Sequence, residues 1–254
     1  MTEAVSYRVV NGVAWLTIER PEARNALNAD ARAGLYAGVR RFNEDDSAKV
    51  LVLTGAGDKA FCAGGDLKEM ADTALTVPPP DFVPQFGRNI DVAKPTIAAV
   101  NGVAWAGGFL LAQCCDLCIA ADTATFAISE VKVGRGAPWA APLSWLIPPR
   151  IALQILLTGD PLTARRAYEI GLATDLVADD ELGGKATALA TRFATGPALA
   201  YSATKNLITR ELDMDLGSAI DLEVISQALM MKSEDFAEFY NAWSDGRKPT
   251  WRGR

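Results

Sequence analysis

Residues 50–54 (VLVLT) and 96–100 (TIAAV) are apolar almost throughout, with no alternation of polar and apolar positions. A strand with one wet face must alternate, so each run reads as a strand buried on both sides, which calls for helices above and below a largely parallel sheet. Leu35, Val39 and Phe42 recur at helical spacing among charged residues and predict an amphipathic helix before the first run. Ahead of it, YRVV and VAWLTI flank Asn11-Gly12, a strong hairpin signal because both turn positions need positive φ. Gly55-Ala56-Gly57 and then AFCAGGDLKEM (60–70) are expected to form a loop and a helix start, and the run at 96–100 leads into a second, glycine-rich helix start. Strand, turn and helix repeat, which is alternating α/β architecture.

Two segments depart from that rhythm. VPPPDFVP (77–84) carries four prolines, which fit neither a helix interior nor a central strand, so it is a loop acting either as pocket wall or as plain connector. Beyond Thr195-Gly196-Pro197 the pattern turns helical, and Ile220, Val224, Leu229 and Phe236 make it too apolar for a solvated tail. It is expected to pack on the core or on a neighbouring subunit. The division predicts a core over 1–196 and a helical region over 197–254.

Half of the 254 residues are apolar, enough for a sizeable core. The net charge of -6 argues against nucleic acid, whose binding needs clustered cations. No stretch approaches the roughly 18 to 20 apolar residues of a membrane span, and the first residues carry no basic, apolar leader, so cytoplasmic residence is expected. Cys62, Cys114, Cys115 and Cys118 include one C-x-x-C, but in an apolar run and without a second pair. They read as reduced core thiols rather than a metal site. The chain has no histidine, so acid/base chemistry falls to carboxylates, Lys, Tyr, Cys or backbone amides.

AFCAGGDLKEM (60–70), KPTIAAVNGVAWAGG (94–108) and FAISEVKVG (126–134) resemble the crotonase, or enoyl-CoA hydratase/isomerase, family. RPEARNALN, LTGDPLTARRAYEIGLATDLV and RKPTW fall in the same order, so the resemblance spans nearly the whole chain. It implies a spiral of ββα turns, C-terminal helices that build a homotrimer or a hexamer of paired trimers, and an acyl-CoA thioester substrate with no separate cofactor. On local sequence alone, Gly64-Gly65 and Gly107-Gly108 are tight turns. The resemblance instead makes the N–H groups of Gly65 and Gly107 the pair that stabilises a thioester enolate, the second aided by its helix dipole. It also places Arg24, Ala26, Lys59, Ala63, Asp66, Leu67 and Lys248 at the CoA moiety.

Glu130 follows FAIS, a strand end, and aligns with a catalytic glutamate of the family. Leu110 is a departure: two-carboxylate hydratases carry a second glutamate there, and the 20-residue spacing to Glu130 is the family's own. One carboxylate suffices to move a proton between the α- and γ-carbons, so the sequence favours 3-enoyl-CoA to 2-enoyl-CoA isomerisation. Hydration is the rival, with Asp66, Glu69 or Asp81 replacing the missing acid; a hydrolase or decarboxylase of the same fold, or a non-catalytic CoA-binding homologue, are further alternatives. Arg135 either meets a substrate carboxylate or pairs with Asp66, Glu69 or another subunit. Trp105 and Trp139 either wall the acyl group or pack in the core.

Overall fold

A computed structural model describes residues 3–73 and 77–254. Its strands are β1 (Val5–Val10), β2 (Val13–Ile18), β3 (Val50–Gly55), β4 (Ala60–Cys62), β5 (Thr96–Val100), β6 (Val103–Trp105), β7 (Leu117–Ala121), β8 (Thr125–Ala127), β9 (Leu162–Thr163) and β10 (Asp175–Val177). The helices are α1 (Ala29–Glu44), α2 (Leu67–Asp72), α3 (Gly107–Cys114), α4 (Leu143–Leu146), α5 (Pro149–Thr158), α6 (Ala164–Glu169), α7 (Leu182–Ala194), α8 (Ala198–Glu211), α9 (Leu216–Met230) and α10 (Glu234–Ser244).

The hairpin forms as expected: β1 and β2 pair antiparallel around Asn11 (φ 51°) and Gly12 (φ 81°). From β2 onward the six-stranded sheet, ordered β1-β2-β3-β5-β7-β10, is parallel. A second sheet has the order β4-β6-β8-β9, parallel except for β9. Three times the chain lays a strand in the first sheet, continues into the second, and leaves through helix: β3-β4-α2, β5-β6-α3 and β7-β8-α4. This is the expected ββα spiral. One detail differs, since residues 60–62 are strand rather than loop; a three-residue strand exists only through its partner β6, far away in sequence, and leaves no local period to read.

The unbroken apolar runs are explained by two cores. Leu51 and Leu53 of β3 join the larger one with Leu35, Val39 and Phe42 of α1. Val50 and Val52, pointing the other way, meet Ile97 and Ala99 of β5 and Leu182, Ala186 and Ala190 of α7.

The C-terminal helices attach through few contacts. Lys205 of α8 reaches Asp116 Oδ2 (2.9 Å) and the Lys94 carbonyl (3.0 Å), and the same carboxylate oxygen accepts from Thr96 N and Oγ1. α9 packs chiefly on α8, and the N-terminus of α10 is closed by the chain end, with Arg252 N and Gly253 N donating to the Asp235 carboxylate. Ile220, Val224 and Leu229 are all about half exposed or more, so their partner is not this chain's core. Among the described residues no helix is long and apolar enough to cross a membrane.

Leu53→Ala, in the larger core, should cost about 2–5 kcal/mol in urea unfolding at fixed protein concentration, whereas Val10→Ala on the exposed edge should stay within about 0.5 kcal/mol.

Candidate active site

RPEARNALN becomes a tight loop held by one buried side chain. Arg24 and Asn25 have positive φ (52° and 56°), and fully buried Asn25 donates Nδ2 to the carbonyls of Ala56 (3.0 Å) and Ala60 (2.7 Å) while its Oδ1 accepts from Arg20 N. With that loop fixed, Leu27 N donates to Gly64 O (2.7 Å), Asp66 N to Leu27 O (3.3 Å) and Ala63 N to Arg24 O (3.1 Å). The pairing uses the Gly64 carbonyl and the Asp66 N–H on either side of Gly65 and leaves its own N–H without an acceptor among the described residues.

The other donor lies at the start of α3. Ala106 holds φ 49°, ψ −118°, pinned by Ala106 N to Ala127 O (2.8 Å) and Leu110 N to Ala106 O (3.0 Å). Gly107 is the first helical residue, so its N–H is one of the donors a helix start leaves unpaired. A Cβ on Gly64 would lie 3.0 Å from the Ala106 Cβ and 3.6 Å from Gly107 N, so the two backbones touch. A Cβ on Gly108 would collide with the Cys62 carbonyl, which lets α3 rest directly on β4.

Glu130 opens a short 3-10 turn after β8, and the register Trp105↔Ala127 together with the Ala106–Ala127 bond brings that strand end to the start of α3. Its Oε2 is buried and has no hydrogen-bond partner among the described residues, which is costly for a carboxylate oxygen unless something else meets it. Leu110, 2% exposed, sits one turn into α3.

The proline segment contributes a wall. Val83 and Phe82 are buried, with Phe82 3.6 Å from a Cβ placed on Gly65, its ring 5.8 Å from that of Trp139 and 4.4 Å from the Arg32 guanidinium carbon. Tyr36 OH ties the segment to α1 through the carbonyls of Asp81 and Val83. Sequence reasoning left this loop undecided and did not single out Phe82; an aromatic flanked by prolines was the available signal. Gln113 was also missed. It is buried on α3, donates Nε2 to Trp139 O (3.1 Å), and leaves Oε1 unpartnered.

Several assignments need correction. Asp66 caps α2 and pairs with Arg20 (3.0 Å); burial pushes its pKa up, but the bonds from Arg20 and from the Glu69 and Lys68 amides outweigh that and hold the carboxyl below its ordinary value. Glu69 pairs with Arg32 (2.6 Å) and Asp81 is exposed, so none of the three is a buried acid waiting beside Glu130. Those ion pairs go to Arg20 and Arg32, not to Arg135, which is exposed on the turn after Glu130. Trp105 is bonded through Nε1 to Thr125 Oγ1 (3.2 Å), and the ring that packs on Phe82 is that of Trp139.

Arg24 and Ala26 lie on the loop after β2, Lys59 on the loop after β3, Ala63 and Asp66 on the turn between β4 and α2, and Leu67 opens α2, 79% exposed. A cleft of about 270 Å³ lined by Pro21, Asn25 and 56–60 opens beside Lys59. Lys248 is not with them. The residues that follow it, 249–253, line a cleft of about 280 Å³ with Lys49 and 194–196, at the N-terminal end of β3; the Arg247–Glu238 pair helps turn the tail that way.

The thiols stay out of the chemistry. Burial pushes Cys62 and Cys118 up to about 12, Cys114 to about 11 and Cys115 well above its ordinary value.

A solved enoyl-CoA hydratase from Mycobacterium marinum superposes with a TM-score of 0.92 and 35% identity over 99% of each chain, placing the fold in the crotonase class. The sequence model described as enoyl-CoA hydratase/isomerase matches residues 8–254, and the chain belongs to that family as one of its enzymes. It is 36% identical to (E)-benzylidenesuccinyl-CoA hydratase of Thauera aromatica, over 98% of this chain and 99% of the relative, and 33% identical to carnitinyl-CoA dehydratase of Proteus mirabilis over all of both.

Alkylation at pH 8 should leave the native protein essentially unlabelled, because thiolate rather than thiol reacts, and add four groups after unfolding, as counted by mass spectrometry.

Proposed function

We propose that the chain is an acyl-CoA hydro-lyase, adding water across the double bond of a 2-enoyl-CoA or removing it from the 3-hydroxyacyl thioester. The observation that carries this reading is the buried, unpartnered Oε2 of Glu130 on a strand end beside the start of α3. Gly65 N–H and Gly107 N–H hold the thioester oxygen, where negative charge develops as the enolate forms. Glu130 exchanges the proton at the reacting carbons. Phe82 and Trp139 wall the acyl group, and Arg24, Lys59, Ala63 and Leu67 meet the CoA moiety. No further cofactor enters the reaction.

Relatives named as hydratase and dehydratase support water chemistry over the isomerisation that Leu110 suggested from sequence. Isomerisation remains the second reading for one reason: Leu110 supplies no carboxylate. Incubation with 2-enoyl-, 3-enoyl- and 3-hydroxyacyl-CoA thioesters separates the two, since only hydration changes the product mass by one water. Wild type should gain water on a 2-enoyl-CoA, and Glu130→Gln should lose at least about 10²-fold in turnover with little change in CoA affinity. A shift of the double bond without any mass change overturns the hydratase reading.

The assembly is a homotrimer, alone or paired into a hexamer, built by the helices after residue 197. α9 carries exposed apolar residues on more than one side (Leu216, Ile220, Val224, Ile225, Leu229), and a helix apolar around its circumference belongs inside an assembly. Lys248, remote from its own chain's Lys59, then serves only a neighbour's site. Light scattering should give a multiple of 27.1 kDa, and truncation before Gly196 should cause aggregation or loss of activity; a monodisperse, active monomer sinks this assignment.

A further inference from the structure

Among the described residues, two buried side-chain polar atoms lack a hydrogen-bond partner: Glu130 Oε2 and Gln113 Oε1. The first belongs to the carboxylate already given the proton. The second has the same unmet demand on the neighbouring helix. Gln113 is three residues beyond Leu110 on the same side of α3 and 6% exposed. Its Nε2 must face the Trp139 carbonyl, because only a donor can meet that oxygen, and this fixes which edge of the amide is the acceptor. Trp139 lies on the segment leaving Glu130 and packs on Phe82, which covers Gly65. The side chain that carries the orphan oxygen is thus tied, through the Trp139 carbonyl and the Trp139–Phe82 ring contact, to the wall of the candidate site.

We infer that Gln113 is the second catalytic side chain of the hydration reaction, its Oε1 accepting a hydrogen bond from the attacking water and, after addition, from the product's 3-hydroxyl. The inference rests on the hydro-lyase reading. A carboxamide oxygen orients water but takes no proton, so Glu130 carries both transfers. As the water oxygen bonds to C3, its proton passes to Glu130 and the C2=C3 pair moves into the thioester enolate. Glu130 then returns that proton to C2 as the enolate collapses, and water has been added in full. Leu110 is compatible with this division, because the water's second hydrogen needs an acceptor and not a base.

The test uses Gln113→Met, nearly isosteric, in the full-length enzyme. Hydration should fall at least about tenfold, the worth of one buried hydrogen bond, while Glu130-dependent exchange of the C2 hydrogens of a saturated acyl-CoA in D2O stays within about threefold. In binding, wild type should prefer 3-hydroxyacyl-CoA over saturated acyl-CoA, and the variant should lose that preference without weakening for the saturated thioester. Parallel loss of hydration and exchange, or a wild type with no preference for the hydroxyl, overturns the role of Gln113. A wild type that exchanges C2 hydrogens but hydrates no 2-enoyl-CoA overturns the hydro-lyase reading itself, a different result from a wild type that hydrates as well as its variant.

Discussion

The position of α3 on β4 governs everything else in the site. With no side chain at residue 108, the helix meets the Cys62 carbonyl directly, and the loop at 63–66 is carried to within contact of residues 105–107. Separation of the two unpaired amides is thus set by backbone against backbone, with no flexible side chain between them. Asn25 holds the other side of the same loop and is wholly buried with its three hydrogen bonds. Such a network is rigid because each member would leave an unsatisfied polar group if it moved.

Much of the fold was legible because its signals are local. Asn11-Gly12 declares its turn through two positive φ values, and VLVLT lacks alternation because Leu51 and Leu53 serve one core while Val50 and Val52 serve another. Short β4 was not legible, since nothing in three residues announces a partner across the second sheet. The site divides the same way. Glu130 and the glycines occupy motif positions, but the engagement of Asp66 by Arg20, the stacking of Phe82 on Trp139 and the bond from Gln113 to Trp139 O arise between segments distant in sequence. Lys248 was placed by resemblance at the CoA moiety, and a chain end returning to α10 sets it apart from its own chain's Lys59.

The wall of the site is supplied by a segment that no regular element would tolerate. Four prolines keep 77–84 out of helix and sheet, yet Tyr36 and Asn89 tie its carbonyls down, and Phe82 and Val83 are buried as deeply as core residues. Arg32 links this wall to α2, pairing with Glu69 while lying over Phe82.

Ala106 has a cost that shows what the fold gives up for its geometry. A non-glycine residue at φ 49° lies where L side chains are crowded, a penalty on the order of 1–3 kcal/mol, and it is retained because both flanking hydrogen bonds depend on it. Glycine would relieve the crowding but allow the turn to wander, and Gly107 N–H would lose its fixed direction. Heat resistance and donor alignment therefore compete at one residue, and selection for a hardier protein would press on this turn at the expense of the chemistry beside it.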